Sequence, residues 1–566
     1  MQHFQTAHGF GPSDRNQQQQ EGTNVKRGTI LKFAACIAVV GMAAGCGGGS
    51  KSSKASFKPE IATSAPAGDK QVDSITWNVG AGEPDSMDPA MSANDSISTI
   101  NGNLCESLMR YGSNYAVEPA LASSVQHPDS LTWIFHLREG VTFWDGSPVT
   151  AADVVYSIER ILDPKLGSSW AAWAPDGATA RAIDDKTVEL KVTKFNSTAE
   201  GYFATPAFSV VSKKFAAKAG KAFGTDKGGV MCTGAYKIAS WNTGESLTIT
   251  RNDLWWDKDN APKVKNVKFV FVSDPAAQTA GLVSGDIDGQ FNLQVGSYKQ
   301  LSKAGGRLLF ARSLAPVYLD VLKSDGALGD QKVRQAIQKS IDYEGIVKSV
   351  YLGAADPLRA LVPPNAWGEG PQKAVYERAY NELPEAKQDL GGAKKLIADS
   401  PDAKKEIVFA YATASGEETK IATAIADSAN SIGLNIKLKP LTGADYNALF
   451  SSEEARAGVD MFLVSGYLDF PDPLPYYGYL AIGSYYNFSN YKNQEYTDHI
   501  KAAFNEQDPA KKAELTSKAQ AIIGKDLQVT PILTTFTGVY YNKSLGGLVP
   551  SQSFYYTPWA AQLGGS

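Results

Sequence analysis

Apolar and polar positions repeat with two periods along this chain, and the switches between them predict a mixed α/β protein. Period-two alternation predicts strands at 74–79, 131–138 and 187–192. In 131–138, Trp133, Phe135 and Leu137 alternate with Thr132, Ile134 and His136, so one face is more polar. Two adjacent strands are predicted within 230–251, turning at Asn242, Thr243 and Gly244. Short apolar runs predict further strands at 264–272, 406–411, 434–438 and 461–464, and 529–541 reads as a returning strand. Helical spacing predicts helices over 98–111, 151–162, 275–284, 330–350, 387–397 and 417–432, with two more near 493–505 and 508–522. Thr150 and Asp153 have the spacing of an N-cap and its reciprocal acid before the second of these.

The 566 residues exceed one core and predict two or three domains. Net charge is −4 with Lys and Arg scattered, so no basic tract points to nucleic acid. Ten Trp, 25 Tyr and 23 Phe provide aromatic surface for a ligand wall, although most aromatics in any protein are core. Residues 1–24 are polar and predict no fold. Lys26 and Arg27 then precede an apolar run, 30–44, too short to span a bilayer comfortably. Basic residues, an apolar run and small residues in that order predict a secretory signal. The run ends at Ala43-Ala44-Gly45-Cys46, ahead of a flexible polar stretch, and resembles a bacterial lipoprotein cleavage box. That resemblance implies acylation of Cys46 and a lipid-anchored, extracytoplasmic protein. Cys36 falls within the signal, leaving Cys105 and Cys232 for the mature part. Outside the cytosol such a pair can close a disulfide, stabilising by roughly 4–5 kcal/mol on the chain-entropy estimate, or remain two buried thiols.

The stretch 459–477, V-D-M-F-L-V-S-G-Y-L-D-F-P-D-P-L-P-Y-Y, carries the candidate chemistry. A buried strand runs into Tyr467, Asp469 and Phe470, and Pro471 and Pro473 then stiffen the loop. A carboxylate between two aromatic residues at a strand end suits gripping a cation in a cleft; the alternative is a surface turn with two solvated aspartates. A secreted hydrolase is the rival class. Mature histidines are His127, His136 and His499; none lies in H-E-x-x-H, and no serine lies in G-x-S-x-G. Spacing alone leaves a carboxylate-based glycosidase open. No metal or cofactor is implied by any motif.

Further motifs follow in a fixed order. E-P-x-L-A and L-x-W-x-F-x-L-R-x-G-V-x-F-x-D-G-x-P-x-T-A-x-D-V span 118–154, then come C-T-G-A-Y-K at 232–237, R-N-D-x-W-W at 251–256 and G-D-I-D at 285–288. V-R-Q-A-I-x-x-S-I-D at 333–342, Y-L-D-F-P-D-P at 467–473 and N-F-S-N-Y-K-N-Q-E-Y at 487–496 complete the series. Together they resemble the extracytoplasmic solute-binding lipoproteins of ABC importers, the family of oligopeptide-, dipeptide- and nickel-binding receptors (bacterial extracellular solute-binding proteins, family 5). The likeness covers 74–566.

The resemblance implies a two-lobed, periplasmic-binding-protein-like α/β clamp with two crossing hinge strands and an extra subdomain in the first lobe. The implied boundaries are 1–45 for leader and signal peptide, 46–72 for a lipidated linker, and 73–115, 231–310 and 529–566 for the split first lobe. Its subdomain would be 116–230 and the second lobe 311–528. The implied function is capture of short peptides for a membrane permease, without ATP use or a cofactor, by a monomer. Asp469 would take the ligand's free amine. An oligosaccharide, a metal chelate or another small solute is the alternative within the family, and the shortage of histidine argues against direct nickel ligation. Tyr467 stands where the family has tryptophan, and keeps an aromatic wall. Cys105 and Cys232 replace other family residues at two sites, which supports their pairing. Arg359 could meet a carboxylate, or serve a salt bridge within its lobe. Trp77, Tyr476, Tyr477 and Tyr485 are further cleft candidates, each of which alone would read as core.

Overall fold

The computed structural model describes residues 57–92, 94–171 and 174–566. The apolar segment 30–44, Cys36 and the lipidation candidate Cys46 lie outside the described residues. Two long strands set the architecture. Arg307–Val321 and Val529–Tyr541 run antiparallel through the middle of an 11-stranded sheet. Beyond Val529–Tyr541 lie Gly289–Phe291, Val72–Asn78, Val264–Val270, Ser246–Arg251 and Tyr236–Asn242, in that order. Beyond Arg307–Val321 lie Met461–Ser465, Glu406–Ala412 and Asn435–Leu441. Each long strand therefore serves two α/β lobes, one at either end.

The register slips between Arg312 and Pro316, and again between Val317 and Tyr318. Pro316, and Pro531 on the partner strand, have no N–H to give to the ladder, and a ladder broken in this way bends. The crossing is thus the place where the sheet can hinge.

The three largest apolar clusters among the described residues accompany this frame. In the first lobe Trp77 is 0 % exposed and packs on Trp559 and Phe291, with ring centroids 4.5 and 5.0 Å away. In the second, Gln331–Ser340 and Gly416–Ser431 bury their apolar faces against Ile407, Phe409 and Leu463. The third belongs to a four-stranded antiparallel sheet, Ala122–Asp129, Thr132–Leu137, Thr187–Lys191 and Thr179–Asp184. Trp133, Phe135 and Leu137 face inward there, with Val154, Ile158 and Ile161 of the helix Ala151–Leu162. That helix starts at the capping box of Thr150 and Asp153.

Three expectations change. The helix over 98–111 is instead Asp95–Asn101. Asn94 caps its start, and the Asn103 amide donates to the carbonyls of Thr99 and Ile100 and ends it. Cys105 is then free to reach Cys232, and the two form a disulfide with a Cα–Cα distance of 4.9 Å. The single helix over 330–350 is two, Gln331–Ser340 and Tyr343–Ser349, because the Asp342 carboxylate caps the second by accepting from Gly345 N–H. Residues 57–71, read as the end of a linker, lie on the fold. Ile61 bridges to Phe310, and the Phe57 ring meets Tyr298 and Phe310.

Candidate ligand-binding site

Met461–Ser465 is buried from Met461 to Val464, then emerges at Ser465 beside the hinge. The loop that follows stays tied to the long strand. Gly466 N–H donates to the Pro316 carbonyl at 3.2 Å, and Leu468 N–H to that of Leu314 at 2.8 Å. Leu468 sinks into a second-lobe cluster with Leu474 and Tyr477. Phe470 goes the other way. It is 1 % exposed within the subdomain core, its ring edge-on to Tyr202 at 4.6 Å. Asp469 is stretched between these two anchors, and its N–H donates to the Tyr476 hydroxyl at 2.8 Å.

Asp469 lines a small cavity with Tyr467, Tyr111, Tyr115, Tyr555 and Tyr556. The mass of both lobes around it desolvates the carboxyl and pushes it up to about 7, from an ordinary 3.8. Among the described residues no donor or cation offsets that burial. Burial first, and then the Asp469 charge, pushes up the Tyr476 hydroxyl; burial, then Tyr467, then Asp469 push up that of Tyr556, so both stay neutral. A lone carboxylate ringed by neutral tyrosines lacks one thing, a positive charge. An ammonium group would restore its ionised form and meet the ring faces favourably.

The sequence candidates scatter. Tyr467 lines the cavity, with its ring 5.8 Å from Tyr555 and a hydroxyl contact to Tyr556. Tyr476 acts behind Asp469, holding its backbone. Tyr477 is fully buried, and its hydroxyl donates to Gln520 Oε1 at 2.9 Å. Trp77 is core. Arg359 sits over the Tyr380 ring, 3.9 Å from Glu385, and does not line the cavity. Tyr485 is exposed, its hydroxyl donating to the Ser451 carbonyl at 3.2 Å. Sequence reasoning missed Tyr111, Tyr115, Tyr555 and Tyr556. The adjacent Tyr555 and Tyr556, at the end of the short 3-10 helix Gln552–Tyr555, were the one local signal. Glu106, another buried carboxyl raised to about 7 by desolvation, lies elsewhere. It accepts from Thr233 Oγ1 at 2.8 Å and from the indoles of Trp255 and Trp256.

The subdomain also grips the second lobe directly. Ser197 donates through its N–H to the Phe504 carbonyl at 2.9 Å, and through Oγ to that of Ala503 at 2.9 Å. Lys512 pairs with Asp472 and donates to the Ser197 carbonyl at 3.1 Å.

This geometry, two lobes closed on a charged cavity at a hinge, belongs to binding proteins that fold over a solute. Residues 116–488 match the bacterial extracellular solute-binding proteins, family 5 (middle). The chain belongs to this family. Family 5 members are extracytoplasmic solute-binding proteins of ABC importers. The chain is similar to the dipeptide-binding protein DppE of Bacillus subtilis, 26 % identical over 490 residues, which cover 82 % of this chain and 88 % of that one. It is also similar to the periplasmic oligopeptide-binding protein OppA of Salmonella typhimurium, 26 % identical over 500 residues, covering 83 % and 89 %. Among solved structures, the ABC transporter substrate-binding protein CtaP of Listeria monocytogenes superposes with a TM-score of 0.77 at 23 % identity, covering 87 % of this chain and 99 % of that one. Among the described residues no helix is long and apolar enough to cross a membrane.

Proposed function

We propose that this family 5 receptor captures short peptides with a free amino terminus and presents them to a membrane permease. The observation that carries the reading is Asp469, a desolvated carboxylate without a counter-charge among the described residues, at the seam of the lobes. Its complement is an ammonium group. The dipeptide and oligopeptide receptors to which the chain is similar supply the class of amine. Tyrosine rings around Asp469 suit the aliphatic backbone and varied side chains of a peptide better than the hydroxyl-rich edge of a sugar.

In this reading Asp469 is the ligand contact, Tyr467 the aromatic wall and Tyr476 a positioning residue. Closure aligns the two lobes into a surface the permease can recognise, a shift between open and closed populations. Cys46 carries the lipid anchor and the receptor acts as a monomer. The order of basic residues, apolar run and Ala-Ala-Gly-Cys supports the anchor. Native mass spectrometry of the purified protein tests the function. Peptides released on gentle activation support it; a bound sugar or metal chelate in place of any peptide contradicts it.

A further inference from the structure

A second, small cavity lies against the first and shares Tyr555 and Tyr556 with it as a common wall. It is lined by the end of the helix Asp95–Asn101 and by the disulfide residue Cys105. Gly102 explains how the tyrosine segment comes so near. A Cβ there would stand 2.8 Å from the carbonyl oxygens of Phe554 and Thr557, so only glycine lets the two segments touch.

The polar groups of this chamber are not equally engaged. Ser107 Oγ donates to the Thr205 carbonyl at 2.7 Å and shares a 3.0 Å hydrogen bond with Ser209 Oγ. Asn101 differs. It is 4 % exposed, and neither its Nδ2 nor its Oδ1 has a hydrogen-bond partner among the described residues. A side-chain amide offers two donors and an acceptor, and burying them unmet is costly. Asn101 is therefore a buried, unspent donor–acceptor pair facing a cavity that adjoins the amine site.

We infer that Asn101 is a specificity-determining residue, selecting a ligand that places an uncharged side chain with both donor and acceptor, a carboxamide foremost, in the second chamber. The inference rests on the peptide reading of Asp469. Its chemistry gives an order of preference. A carboxamide can exchange paired N–H···O bonds with Asn101. An aliphatic side chain fills space but leaves the Asn101 amide unmet. A cationic or anionic side chain fares worst, because among the described residues no charged one lines this chamber to replace its water.

Calorimetry with a host tripeptide, scanning Gln, Leu and Lys through each position, tests this. At one position the wild-type protein should bind Gln about tenfold more tightly than Leu, the size of one or two uncharged hydrogen bonds. Asn101→Leu should reverse the Gln–Leu order at that position and leave the all-alanine host unchanged. Asn101→Asp, which keeps the shape and should fold if Asn101→Leu does not, should move the preference there to Lys. The same side-chain order in wild type and variants overturns the inference alone. Failure of the wild type to bind any of the peptides overturns the peptide reading and this inference with it.

Discussion

At the scale of single residues, the raised Asp469 carboxyl makes closure sensitive to pH. Its value in the closed form, about 7, lies above the ordinary 3.8. The ligand-free closed form therefore holds a proton that an exposed carboxyl gives up. That contribution to closure is fully present below about pH 4 and is lost as pH rises through 7. Small-angle scattering of the ligand-free protein should show a larger radius of gyration at pH 8 than at pH 5, and Asp469→Asn should flatten the change. A radius unchanged over this range in the wild type would remove the carboxyl as its cause. Local signals made some residues legible before the fold was known. Thr150 and Asp153 announce a helix start because a capping box needs only four consecutive residues. Asp469 stood out for its aromatic and proline neighbours. Tyr555 and Tyr556 did not, because their roles depend on distant chain. The segment holding them is fixed by Trp559, whose indole donates to the Thr99 carbonyl 460 positions away.

At the scale of elements, short-range rules located most strands and helices, and the errors came from caps hidden inside longer periodic runs. Asp342 shows how. The apolar spacing of Val333, Ile337, Ile341 and Val347 continues across it, but its carboxylate begins a new helix. Asn103 likewise cuts short a helix that the apolar pattern extends to Tyr111. The disulfide follows from that early ending. It closes a span of 127 positions, and Glu106 next to Cys105 meets Thr233 next to Cys232, so two bonds tie the same pair of loops. Replacing both cysteines by serine should cost about 4 kcal/mol on the chain-entropy estimate, read from urea unfolding of oxidised protein. A loss below about 1 kcal/mol would mean that the loops hold together without it. Thr150→Ala should cost about 1 kcal/mol in the same experiment by removing the cap, with ligand affinity unchanged; a change in affinity would couple this helix to the site.

At the scale of the whole molecule, closure is a set of cross-lobe contacts around the hinge. Phe470 plugs the subdomain core, and Ser197 and Lys512 fasten the rim. Replacing Ser197 by Ala removes one hydrogen bond at this rim, from Oγ to the Ala503 carbonyl, without touching the cavity. Peptide affinity should fall about fivefold, the worth of one hydrogen bond of about 1 kcal/mol. Stopped-flow measurements should place the loss in dissociation, since the rim forms after the ligand has entered; a slowed association alone would contradict that order. The two-lobed plan was legible because family motifs run in order along 118–496, whereas the closed rim joins Ser197 to Phe504, residues no motif connects. The central claim is that Asp469 receives the ligand's ammonium group, and isothermal calorimetry with one free-amine tripeptide tests it most directly. Asp469→Asn should weaken binding by about two to three decades, the loss of one partner of a buried ion pair, with the thermal midpoint not lowered. Equal affinity in wild type and variant would contradict it.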